Sequence, residues 1–250
     1  MGLQGAWDER WAVLADGLRG LRPDVVSFQE AIVGDGYDQV ADLLGPGYHV
    51  AHQAIGLVGD GNHGASIASR WPLGDVRGAD LHLTLRTRDY PCGTPAAEVL
   101  VPEPVGSLLF VANGPSHQLG YEFQRERQSL AAARLVEGLV GRLGTRHVVV
   151  AGDFNADPDA DSVAFWRDRR SLEGTSVSYR DAWESARPGG GRPHVHADQP
   201  ARGREQARPR PRPTDRLRLR ALRRFPIRAH TRRPRPHPRL RRTCRRRVGK

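Results

Sequence analysis

The sequence is poor in several residue types, and each shortage argues against a class of protein. It has two cysteines, Cys92 and Cys244, in 250 residues. These are too few for the disulfide framework of a small secreted domain, so we expect a reduced, cytoplasmic setting. No run of 18 apolar residues occurs, so we expect no membrane span. The first residues lack the basic start and apolar core of a signal peptide, so we expect none.

Lysine is also scarce, since Lys250 is the single lysine of the chain, so nearly all basic residues are arginines. These arginines are distributed very unevenly along the chain. Residues 192–250 hold 22 basic residues against three acidic ones, a net charge of +19, and nine prolines. Residues 1–191 hold 17 basic and 25 acidic residues, a net charge of −8. We therefore expect one α/β domain over 1–191 and a disordered tail over 192–250, because the tail has no stretch that could build a core.

Two interpretations of the tail remain open. Arginine, proline and histidine without periodicity are what GC-rich coding DNA gives when it is read out of frame, which favours a frameshift near residues 190–193. The alternative is a genuine arginine-rich arm that binds nucleic acid.

The segment His147–Ala156 is the most informative one in the chain. A run of β-branched residues indicates a short strand buried on both faces, and Gly152 then allows a turn. Asp153 and Asn155 follow, and Asp157-Pro158 is typical of a helix start. We expect Asp153 and Asn155 at the carboxyl end of a strand, where α/β folds usually place chemistry.

Other segments show regular patterns of apolar residues. These predict helices over 7–21, 37–44 and 120–143, and strands over 25–30, 81–86 and 107–112. We expect the helix over 7–21 to face the core, and we interpret Glu122 and Arg125 in the third helix as a surface pair.

Several of these segments resemble, in order, the endonuclease/exonuclease/phosphatase superfamily, and in particular a bacterial branch of it. They are Pro-Asp-Val-Val-x-x-Gln-Glu ending at Glu30, Ser-Arg-x-Pro at Ser69–Pro72, Gly-Asp-Phe-Asn at Gly152–Asn155, and Asp-Ala-Trp at Asp181–Trp183. The resemblance covers roughly residues 7–190. It implies a four-layer α/β sandwich, with two mixed sheets flanked by helices.

The resemblance also implies a site. Glu30 would be the ligand of a Mg²⁺ or Mn²⁺ ion, Asp153 would orient or activate the attacking water, and Asn155 would hydrogen-bond a phosphate oxygen. The family typically has an Asn-x-His or Asn-His pair after the strand at 107–112. Here Asn113 stands where that histidine is expected, so we predict a substrate-binding role for Asn113 and a site role for His117.

The chain departs from the family pattern at both ends. The opening strand, which supplies an Asn to the metal site, is missing, and so are the closing Thr-Phe, Arg-Ile-Asp-Tyr and Ser-Asp-His segments. We therefore expect an incomplete fold and a monomeric, metal-dependent phosphoester hydrolase with impaired activity on a substrate of unknown identity. The alternative is a non-catalytic fragment, or a nucleic-acid-binding protein that acts through its basic tail.

Overall fold

The computed structural model describes residues 3–34, 36–59 and 61–187. Five helices occur there: α1 Leu3–Leu21, α2 Gln39–Leu44, α3 Glu122–Leu143, α4 Asp161–Trp166 and α5 Ala182–Ala186. Eight strands accompany them: β1 Val25–Gly34, β2 Tyr37–Asp38, β3 His49–His52, β4 His63–Ser69, β5 Leu73–Asp80, β6 Gly93–Val101, β7 Gly106–Ala112 and β8 His147–Ala151. The predicted domain boundary at 191 and the predicted disordered tail lie outside the described residues.

The strands form two four-stranded sheets. Their orders are β2-β1-β4-β3 and β5-β6-β7-β8. All pairs are antiparallel except β7 and β8, which run parallel and are joined through α3. Because parallel strands end at the same edge, this crossover brings the segments after Ala112 and Ala151 together.

The two sheets pack face to face between helices, which confirms the predicted four-layer α/β sandwich. Strand β7 shows how the layers arise, since its side chains alternate between two cores. Phe110 and Ala112 pack against the first sheet, in a cluster with Ile67 of β4. Leu109 and Val111 pack in the opposite direction, against α3. On the far side of the first sheet, α2 buries its apolar side chains against β1 and β4.

Several sequence predictions about elements need correction. The alternation of leucines over 81–86 is not a strand: Leu81 is fully buried in a loop, and a short 3₁₀ helix covers Leu85–Thr87. Strands β2, β3, β5 and β6 were not predicted, and β2 occupies the first two residues of the helix expected over 37–44. Helix α4 begins at Asp161, after Ala160 as N-cap, and not at the expected Asp157-Pro158. The described side chains of α1 do not all face the core, because Ala15 is buried whereas Leu14 and Leu21 are 48% and 74% exposed.

Within the described residues, no helix combines the length and the apolarity needed to cross a bilayer.

Candidate functional site

The site begins where β7 and β8 end side by side. The Asn113 N–H donates to the Ala151 carbonyl oxygen at 2.8 Å, which continues the ladder one residue past β7. Gly152 follows with φ +139°, a conformation that side chains rarely adopt. A Cβ on Gly152 would overlap the Asn113 carbonyl oxygen and would lie 3.0 Å from the Asn113 carbonyl carbon and nitrogen. Glycine is therefore required for Asn113 and Gly152 to approach each other.

The turn after Gly152 places the predicted acid and amide as the sequence indicated. The Asp153 carboxylate accepts the Asn155 N–H at 3.0 Å, and Asn155 has φ +51°, which this residue type tolerates better than most. The Asn155 side-chain Nδ2 donates to the Pro115 carbonyl oxygen at 3.0 Å. This contact uses one of the two Nδ2 hydrogens. The Asp153 carboxylate is exposed, and Asn155 is half-buried between the two loops.

The Asn113 side chain is the most unusual group here. It is 1% exposed, and neither its Oδ1 nor its Nδ2 has a hydrogen-bond partner among the described residues. An unsatisfied buried polar group costs roughly 1–3 kcal/mol. Among the described residues, Asn113 shares this property with a few other buried side chains, such as Gln124 and Trp166.

Strand β1 of the other sheet approaches this region at Gln29 and carries Glu30 beside it. The pairing of β1 with β4 is irregular between Phe28 and Ala31, so two residues of β1 oppose one of β4, and Glu30 has φ +55°. Such a bulge redirects a side chain and is common next to active sites. Glu30 is exposed, while its neighbour Gln29 touches the loop after β7: a Cβ on Gly114 would lie 2.5 Å from Gln29 Oε1.

Two of the predicted residues and the neighbour of a third lie around Gly114 and Pro115. Gln29, beside Glu30, contacts Gly114, and Asn155, two residues after Asp153, binds Pro115. The carbonyl of Asn113 lies against Gly152. The ends of β7 and β8 and a bulge within β1 thus meet at one short loop.

His117 lies at the rim of the same loop. Its ring is exposed and meets the Tyr90 ring edge-on, with the ring centroids 5.1 Å apart. The structure thus places His117 against Tyr90 and not, among the described contacts, against Asp153 or Asn155. Its role in the site stays a prediction.

Helix α3 holds this loop through buried polar side chains that the sequence did not reveal. Gln128, 1% exposed, accepts the N–H and the hydroxyl hydrogen of Ser116, both at 2.9 Å. Arg125, 8% exposed, donates to the carbonyl oxygens of Ser116 and Gln118 at 3.2 and 3.0 Å. The prediction that Arg125 is a surface residue is therefore wrong. Its spacing from Glu122 was visible in the sequence, but its burial follows from the loop that folds over it.

Burial also alters the acid–base properties around the loop. It raises the pKa of the Cys92 thiol to about 12, and it raises the pKa of the Tyr90 hydroxyl, which donates to Ser116 Oγ at 2.6 Å. Burial would likewise raise the pKa of Glu122, but hydrogen bonds from Ser162 and Arg125 outweigh it and lower that pKa below its usual value. Glu122 is thus ionised and pairs with Arg125.

Among residues 10–34, 36–59 and 61–187, no three His, Cys, Asp or Glu side chains form a cluster that could hold a metal ion. Mg²⁺ is commonly bound through one or two carboxylates with several retained waters. Glu30 and Asp153 are both exposed carboxylates of the kind that such an ion uses.

Comparisons with known proteins identify similar folds and a matching family. Among solved structures, the chain is similar to the human Nocturnin catalytic domain (19% identity, 65% of this chain and 63% of that chain, TM-score 0.53). It is similar to ANGEL2, a 2',3'-cyclic phosphatase (15% identity, 64% and 48% of the two chains, TM-score 0.55). It is also similar to a mannosyl-6-phosphatase of Bacteroides thetaiotaomicron (18% identity, 66% and 64%, TM-score 0.53).

These likenesses concern the fold, and the chain spans less than two thirds of the length of each of the three structures. A comparison with curated protein sequences gives no match. The model of the Endonuclease/Exonuclease/phosphatase family, in contrast, matches residues 4–240, which extends past residue 190, where the resemblance was expected to stop. With nearly the whole sequence matched and the sandwich fold in place, the chain belongs to the Endonuclease/Exonuclease/phosphatase family.

Proposed function

We propose that this chain carries the site of a metal-dependent phosphoester hydrolase with weak turnover. The observation that carries the proposal is the meeting of the ends of β7 and β8 with the bulge of β1 at Gly114 and Pro115, next to Asn113, whose amide has no partner among the described residues. Asp153 and Glu30 are both exposed beside it, so a substrate and a cation have access to them. The family of the chain supplies the reaction class.

Each side chain has a role that its chemistry and position support. Glu30 would hold Mg²⁺ or Mn²⁺, which when bound neutralises negative charge developing on the phosphate. Asp153 orients the attacking water and accepts its proton, since its exposed carboxylate is rigidly held by the turn. Asn155 donates its second Nδ2 hydrogen to a phosphate oxygen. Asn113 hydrogen-bonds the substrate and thereby satisfies its buried amide.

Weak turnover follows from what surrounds Asp153. Within the described part of the chain, no histidine is paired with a carboxylate next to that turn. His82 does pair with Asp80 at 2.8 Å, but its other ring nitrogen lies 2.8 Å from the Tyr90 carbonyl oxygen. Both ring nitrogens of His82 therefore already have partners in its own loop region. A positioned acid or base contributes on the order of 10²–10⁴-fold, which is the factor we expect this chain to lack.

The proposal is tested with a generic phosphodiester. Hydrolysis of bis(p-nitrophenyl) phosphate by the full chain is measured against Mg²⁺ and Mn²⁺ concentration, with Glu30→Gln as the test variant. Glu103→Gln is the matched control, because Glu103 is an exposed glutamate in the β6–β7 connection, at the opposite end of β7 from Asn113. We expect slow, metal-dependent turnover that Glu30→Gln abolishes and Glu103→Gln leaves unchanged. Absence of turnover at every concentration of either metal would refute the proposal.

A second candidate function is supported by the charge of residues 192–250, which carry a net charge of +19. Such a segment would bind nucleic acid through its phosphates, and the affinity would fall steeply with salt. A mobility shift on DNA that disappears when residues 192–250 are deleted would support this function. A shift that survives the deletion would contradict it.

A further inference from the structure

We infer that the Glu122–Arg125 pair at the start of α3 is a positioning device that fixes the two strand-end loops of the site relative to each other. The inference rests on the proposed function for its activity readout, but its geometry stands independently. One loop, residues 113–118, follows β7, and the other, residues 152–160, follows β8.

Glu122 holds the end of the second loop. Its Oε1 accepts the Ser162 N–H at 2.7 Å, in the first turn of α4. The N-cap residue of α4 is Ala160, which has no side chain able to cap, and Ser162 is 3% exposed. An N–H at a helix start needs an external acceptor, and the Glu122 carboxylate supplies it.

Arg125 holds the first loop. Its Nη1 donates to the carbonyl oxygens of Ser116 and Gln118, on either side of His117. Its Nε donates to Glu122 Oε2 at 2.8 Å. A single connected chain of hydrogen bonds therefore runs from the start of α4, through the pair, to the loop after β7.

The position of this chain gives it a consequence for the site. Pro115, next to Ser116, is the residue whose carbonyl oxygen accepts from Asn155, and Asn155 lies in the loop that leads to Ser162. The pair and the Asn155–Pro115 contact are thus two separate ties between the same two loops. The pair therefore adds to the other contacts, such as the Asn155–Pro115 hydrogen bond and the packing of Gly152 against Asn113, that keep Asn155 and Asp153 in place. A displacement of about 1 Å at a reacting centre can cost roughly 10²-fold in rate.

Arg125 and Glu122 are positioning residues, and the test must separate positioning from folding. Removing Arg125 alone would leave the partly buried Glu122 carboxylate without its cation and could unfold the chain. The test variant is therefore the double substitution Glu122→Gln and Arg125→Met, which removes both charges and keeps an oxygen to accept from Ser162. Arg125→Lys keeps the charge but cannot reproduce the forked contacts. Arg134→Met is the control, since Arg134 lies on the same helix as Arg125 and forms an exposed ion pair with Glu173.

Two readouts are taken on the full chain after unfolding curves confirm that each variant is folded. The first is hydrogen exchange of peptides covering residues 113–118. We expect exchange to rise about tenfold or more in the double variant, the factor for loss of one hydrogen bond to a charged group, and not in Arg134→Met. The second is turnover of bis(p-nitrophenyl) phosphate, in which we expect kcat to fall about 10- to 100-fold with little change in KM, and a partial loss in Arg125→Lys.

The outcomes are distinct. A folded double variant whose exchange over 113–118 and whose kcat both equal those of the wild type would overturn the inference. Loss of stability with unchanged kcat per folded molecule would also overturn it, because that pattern describes a purely structural pair. If the wild type has no turnover, the proposed function fails, while the exchange result still decides whether the pair positions the loop.

Discussion

Gly152→Ala is the sharpest stability prediction for this protein. Gly152 has φ +139°, and its Cα lies so close to Asn113 that an added Cβ would overlap backbone atoms. A residue held in such a backbone conformation costs about 1–3 kcal/mol, and forcing an extra carbon into a packed site costs about 1–3 kcal/mol more. The expected loss in the free energy of unfolding is therefore about 2–6 kcal/mol. That is a large part of the roughly 5–15 kcal/mol typical of a native protein.

The measurement is urea-induced unfolding of the full chain, compared with Gly138→Ala. Gly138 is an exposed glycine inside α3, and a Cβ there would meet nothing within 4 Å. Since alanine is the better helix former, Gly138→Ala should stabilise the protein by about 0.5–1 kcal/mol. The two substitutions should thus have opposite signs. If Gly152→Ala left the free energy of unfolding within about 0.5 kcal/mol of the wild type, the close approach of Gly152 to Asn113 would be refuted.

Three further predictions concern single side chains near the loop. Asn113→Leu should raise the free energy of unfolding by about 1–3 kcal/mol, because it removes an unsatisfied buried amide, while abolishing turnover. The lowered pKa of Glu122 contributes stability above the usual carboxyl value near 4.5 and loses it as the pH falls through the folded value, so Glu122→Gln should flatten acid unfolding curves. Cys92, with a pKa near 12, should resist iodoacetamide at pH 8 until the protein unfolds, as peptide mapping would show.

The sequence was sufficient to predict those elements that have a strong apolar periodicity and a clear turn residue at their ends. Strand β8 and the turn after it were predicted because β-branched residues stop at Gly152, and that glycine proved to be required by a close backbone approach. The expectation that β8 is buried on both faces was wrong, because β8 is an edge strand of the described sheet and Val149 is 40% exposed. Strands β5 and β6 were missed because their apolar pattern is weak: β5 is largely exposed, and β6 contributes small residues such as Ala96 and Ala97 to the core. Residues 81–86 were mistaken for a strand because alternation alone does not distinguish a half-buried loop.

Some features of the candidate site could likewise be predicted from the sequence, and others could not. Asp153 could be placed from the sequence because an acid follows a β-branched run and a glycine, and it lies directly after β8 as expected. Glu30 was expected at a strand end, but β1 continues to Gly34, so Glu30 lies at a bulge within the strand. That bulge could not be predicted, since it depends on how β1 pairs with β4. Arg125 was misjudged for a related reason: its position in α3 shows only an i, i+3 neighbour, whereas its burial comes from contacts with a loop that precedes the helix.

The residues that position the site differ from the residues that we propose to carry out the chemistry. Three features carry a structural cost that packing of the hydrophobic core does not require. They are the bulge at Glu30, the lack of a side chain at Gly152 and the buried Arg125. Their joint effect is to bring the ends of β7 and β8 and the bulge of β1 to one loop, which begins at Asn113. A fold without a binding site would be more stable without these three features. We therefore expect ligand binding at this site to outlast the loss of fast turnover, so that phosphate affinity and kcat respond separately to substitution.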